Sequence, residues 1–85
     1  EAYKRVALSR LVDGTEVSTV WLGIDHSYGG GPPLIFETMV FPPKGSDEGD
    51  ERDMVRYSDL ESARLGHYRM VEHWQEKVNP KEVQQ

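Results

Sequence analysis

A single amphipathic helix near the C-terminus does most to restrict what this chain can fold into. Ser58, followed three residues later by Glu61, forms a capping box, in which two side chains satisfy amide donors left open at a helix start. Leu60, Ala63, His67, Met70, Val71, Trp74 and Val78 then fall on one stripe at helical spacing. Asn79-Pro80 ends the run, because the residue before proline avoids the helical region. The spacing predicts a helix from about Asp59 to Val78. A helix with one apolar stripe has to bury it against another layer, and everything N-terminal to it reads as strands and loops.

Tyr3 to Val12 reads as a first strand, with Val6, Leu8 and Arg10 on one side. Asp13-Gly14 is a two-residue hairpin signal, since both residues tolerate positive φ. Val17 to Ile24 makes the second strand; the period of two sets Val17, Thr19, Trp21 and Gly23 against Val20, Leu22 and Ile24. Gly29-Gly30-Gly31-Pro32-Pro33 forms a loop. Leu34 to Phe41 is a third strand, stopped by Pro42-Pro43. Lys44 to Asp53, rich in glycine and acid, reads as a solvated, mobile loop. Met54 to Tyr57 adds a short fourth strand. The predicted class is α+β: an antiparallel meander of three to four strands with one C-terminal helix packed across a face. Residues 1–80 form one domain in this reading, and 81–85 a frayed tail.

At 85 residues without cysteine, the chain lacks disulfides and thiol chemistry alike. A small domain with large apolar residues on both faces of its central strands, and with Trp21 and Trp74 to bury, is expected to self-associate as a dimer. The net charge of −5 and the absence of a basic cluster argue against nucleic acid. With no apolar run of about 20 residues and no charged-then-apolar start, no membrane contact is expected, and the chain reads as cytoplasmic.

Six residues stand out as candidate ligand-binding positions: Asp25, His26, Glu37, Thr38, Arg56 and His67. Asp25-His26 lies at a strand end beside the glycine-rich loop, where functional side chains commonly project. Its plain alternative is a turn-capping aspartate beside an exposed histidine. The glycine loop itself is no phosphate cradle, because it leads into a strand, lacks a following Lys-Ser/Thr and ends in prolines without amide donors. Glu37 shares a face with Ile35, Met39 and Phe41, so it either pairs or sits at an edge; Thr38 lies beside it on the opposite face. Arg56 precedes the helix, where it either meets an anion or is ordinary surface. His67 sits in the centre of the apolar stripe after Gly66, a glycine that costs about 1 kcal/mol in a helix and implies close packing. It is either a satisfied core histidine or the partner of Glu37 or Asp25 at the helix–sheet interface, a pairing that raises its pKa. His67 and His73 are not one turn apart, which leaves no metal pair, and no nucleophile motif is present. No catalytic residue, metal or cofactor is assigned.

The runs Val17–His26 (VSTVWLGIDH), Pro33–Phe41 (PLIFETMVF), Arg56-Tyr57 and Glu61–His67 (ESARLGH) together resemble a family of short uncharacterised proteins encoded in bacteriophage and prophage genomes. The resemblance spans roughly residues 17 to 72. It implies a phage product acting inside a bacterial cell, or a part of the particle, and it carries no catalytic residue. The expectation is a small non-catalytic accessory protein that binds and blocks or sequesters a host protein or small nucleotide-like molecule. The alternatives are a minor structural or assembly protein of the particle and, behind it, a small hydrolase using Asp25, His26 and His67.

Overall fold

A computed structural model describes residues 4–23, 31 and 33–79. Four strands, β1 (Lys4–Arg10), β2 (Glu16–Trp21), β3 (Phe36–Phe41) and β4 (Asp53–Tyr57), form an antiparallel sheet in the order β1-β2-β3-β4. One helix, α1 (Leu60–Val78), follows and packs across it. The α+β meander expected from the sequence is the observed architecture, with all four strands present. No described helix is long and apolar enough to cross a membrane.

In β2 and β3, alternate residues are committed to opposite faces. Val17, Thr19 and Trp21 pair with Val40, Thr38 and Phe36 beneath the helix, while Ser18, Val20, Glu37 and Met39 face the other way. Two kinds of interior lie under α1. Its C-terminal half sends Met70, Val71, Trp74 and Val78 onto Leu11, Val17 and Val40, the apolar core. Its N-terminal half lays Ala63, Gly66 and His67 over Thr19, Thr38 and Tyr57, where the interior is polar. Small residues bring the helix close here: a Cβ on Gly66 would overlap the Tyr57 hydroxyl and ring.

Two local expectations change. The β1–β2 connection is longer than a two-residue turn, since the strands stop at Arg10 and Glu16. Leu11 N–H donates to Thr15 C=O (2.7 Å) and Gly14 N–H to Leu11 C=O (3.0 Å), and only Gly14 takes a positive φ, of 96°. The helix cap is Asp59 rather than Ser58. Asp59 Oδ1 accepts from Ser62 N–H at 2.7 Å and Oδ2 from Ser62 Oγ at 3.1 Å. A carboxylate caps as well as a hydroxyl and also offsets the positive end of the helix dipole.

The acidic segment is exposed over residues 44–51, as expected, and meets the rest of the chain through one residue. Arg52 donates to both carboxylate oxygens of Glu48 and to Thr15 Oγ1 (2.7 Å), and its guanidinium lies 5.2 Å from the centre of the Trp74 ring. One arginine thus joins the loop, the β1–β2 turn and α1. It also holds the Glu48 carboxyl below its ordinary pKa, chiefly through its hydrogen bonds.

Candidate functional site

The helix-facing side of the sheet carries a row of polar side chains, one from each strand. Ser9 Oγ lies 2.9 Å from His67 Nε2, and Thr19 Oγ1 lies 2.8 Å from Nδ1. Thr19 Oγ1 is in turn hydrogen-bonded to Thr38 Oγ1, and the Thr38 hydroxyl lies beside that of Tyr57. The order Ser9-His67-Thr19-Thr38-Tyr57 runs across the whole sheet. His67 is 2% exposed, and both ring nitrogens are satisfied. A neutral imidazole donates through one nitrogen and accepts through the other; hydroxyls serve either role, so the site accepts either tautomer. Burial alone pushes the His67 pKa down, and burial is also the leading cause raising that of Tyr57.

Serine hydrogen-bonded to histidine is the first half of an activated nucleophile. The second half is missing, because Thr19 stands where a carboxylate would stabilise the imidazolium. None of the four principal cavities among the described residues is lined by Ser9, Thr19 or His67. Among the described residues this row satisfies polar groups between two layers. Among the described residues, no group of three or more His, Asp or Glu side chains is placed to hold a metal ion.

The opposite face of the sheet is covered by no described element. Leu8, Val20, Met39, Phe41 and Met54 lie on it, with Leu8, Phe41 and Met54 counted among the exposed large apolar residues. Two ion pairs frame them: Arg56 Nε to Glu37 Oε2 at 3.0 Å, and Arg10 with Glu16, which keeps the Glu16 pKa low. Glu37 is 8% exposed although no described element lies over the face. Arg56 and the neighbouring side chains shield it beside a shallow hollow of about 290 Å³ lined by Ser18, Val20, Glu37, Met39 and Phe41.

The sequence-predicted residues therefore separate into two groups. Thr38 and His67 meet through Thr19 beneath the helix. Glu37 and Arg56 meet on the open face. The expected pairing of Glu37 with His67 does not occur, because the pleat places Glu37 on the side of β3 that faces away from the helix. Its partner is Arg56, which answers the anion question for that residue as well. Asp25 and His26 lie outside the described residues. Ser9, Thr19 and Arg52 were missed. A signal for the first two was present, in hydroxyls between apolar neighbours on the same face, Ala7-x-Ser9-x-Leu11 on one strand and Val17-x-Thr19-x-Trp21 on the next. No family model, curated protein or solved structure matches this chain.

Proposed function

We propose that this chain is a non-catalytic binding protein that presents the open face of its sheet to a protein partner. The reading rests on one observation: an apolar sheet face, framed by two ion pairs, that no described element covers. Methionines at Met39 and Met54 suit such a surface, because their unbranched, polarisable side chains adapt to a facing shape. The face carries Arg5, Arg10 and Arg56 against Glu16 and Glu37, and Arg5 makes no ion pair among the described residues. In a chain of net charge −5, this local excess of positive charge favours a partner with an apolar centre and an acidic rim. At about 290 Å³ the hollow lies below the usual range for an enclosed small-molecule site, which turns the reading toward a protein. The resemblance to phage-encoded proteins supplies the setting, a bacterial host component that the chain would block or sequester.

A photoreactive residue at Met39, compared with one at exposed Glu72 on the outer side of α1, tests the reading in a bacterial host. A discrete covalent adduct from position 39, absent from position 72 and lost when Phe41→Arg is added, supports it. Equal labelling from both positions, or none from 39, overturns it. Adducts made only of further copies of the chain would point to an assembly protein instead.

A further inference from the structure

The two edges of the sheet are built differently. β1 carries a register irregularity between Arg5 and Ala7 and starts with Lys4-Arg5, devices that discourage strand addition. β4 has neither lysine, proline nor bulge, and no described strand lies beyond it. Tyr57 C=O accepts from Ile35 N–H, so the odd-numbered residues of β4 turn their backbone groups toward β3. Met54 and Arg56 are then left facing outward. Consistent with this, the Met54 N–H is bonded not within the sheet but to the Asp53 carboxylate, at 2.9 Å.

An apolar groove of about 260 Å³ runs along this edge between β4 and α1, with Val55, Tyr57, Gly66 and Met70 in its walls and Asp53 and Arg69 beside them. Val55 is among the exposed large apolar residues. Asp53 makes no ion pair among the described residues; it accepts only from Met54 N–H and Trp74 Nε1. Arg69, near enough to Tyr57 to act on its charge, has no anionic partner among them either. Two charges of opposite sign thus flank an open strand edge without meeting each other.

We propose that β4 pairs antiparallel with β4 of a second copy, about a two-fold axis through Val55. That register sets Met54 opposite the other copy's Arg56, matching the two outward-facing residues and giving four backbone hydrogen bonds. It sets Asp53 opposite Tyr57 on the helix side, beside the second copy's Arg69, so the axis brings both unpaired charges together twice. The Asp53 carboxylate exchanges its own Met54 amide for that arginine. Val55 meets Val55 over the groove. The product is a continuous eight-stranded sheet with both helices on one face and the two open faces joined on the other. A foreign extended segment fits the same edge but lacks the two-fold charge match, which selects the second copy.

Sedimentation of the full chain over a concentration series, with helix content followed by circular dichroism, tests the proposal. Wild type is expected to form dimers and no larger species. Met54→Pro removes one outward amide per chain, two of the four bonds, and is expected to weaken the dimer by more than about tenfold. Asp53→Arg and Arg69→Asp are each expected to be folded monomers, since their homodimers oppose like charges. An equimolar mixture of the two restores both charge pairs and is expected to dimerise. A wild type that stays monomeric at hundreds of micromolar overturns the proposal, as does a folded mixture that fails to dimerise. A dimer broken by Phe41→Arg yet indifferent to Met54→Pro overturns it too, by placing the contact on the open face.

Discussion

His67 shows how much a single buried side chain depends on what faces it. Surrounded by Ser9 and Thr19 hydroxyls, with no described carboxylate in contact, it is held neutral by burial, and its pKa falls below 6.5. A folded pKa below the unfolded one means that the unfolded chain takes up the proton first. The contribution of the neutral ring is therefore whole above about pH 6.5 and declines as pH falls from there toward the folded pKa. Wild type is expected to lose stability faster than His67→Gln on acidification from pH 7 to 5, as read by urea midpoints at each pH. An excess of wild type that grows on acidification would mean a carboxylate partner after all. Gly66 offers a second test at this scale. Alanine there gains about 1 kcal/mol of helix propensity, yet its Cβ meets the Tyr57 ring, and overpacking of this kind costs about 1–3 kcal/mol. Gly66→Ala is expected to be destabilising in the wild type and stabilising in a Tyr57→Ala background, a reversal that only the Tyr57 contact produces.

At the scale of elements, the periodicities carried most of the architecture, because strands and helix bury different spacings. Val17, Thr19 and Trp21 on one face and the stripe from Ala63 to Val78 were legible for that reason. Which face of β3 the helix covers was not. Phe36-x-Thr38-x-Val40 and Glu37-x-Met39-x-Phe41 are each two-thirds apolar, so the sequence did not distinguish the buried side from the open one. The error in pairing Glu37 with His67 follows directly. For the loop before β4, composition gave the solvent exposure but, being an average, did not pick out Arg52, the residue that joins the loop to Thr15 and Trp74. The helix cap illustrates the same limit, since Ser58 and Asp59 are both good caps and only backbone geometry selects between them. Asp59→Ala is expected to cost about 1 kcal/mol, and Ser58→Ala to change the denaturation midpoint little. Comparable losses from both would show that the capping box is used.

For the molecule as a whole, two layers leave the sheet with one covered and one uncovered face. This changes the sequence-based case for a dimer. Trp74 is accommodated within the chain, with Arg52 and Lys77 near its ring and its Nε1–H donating to Asp53 at 3.1 Å, so its burial does not call for a second copy. Among the described residues, the edge of β4 and the open face remain uncovered. They suit different partners, since an edge pairs with a strand and a face accepts any complementary apolar surface. Neighbouring residues on β3 measure the asymmetry between layers. Val40 is fully buried against Val17 and Met70, whereas Met39, next to it in sequence, lies on the open side. Val40→Ala removes apolar contacts that the helix cannot close over, at a cost of about 2 kcal/mol. Met39→Gln exchanges one flexible side chain for another at the solvent face and is expected to stay within about 0.5 kcal/mol of wild type. Urea denaturation at low micromolar concentration, where association contributes least, reads both values. A Met39→Gln cost equal to that of Val40→Ala would mean that the second face is covered in the folded chain, and would remove the surface on which the binding function depends.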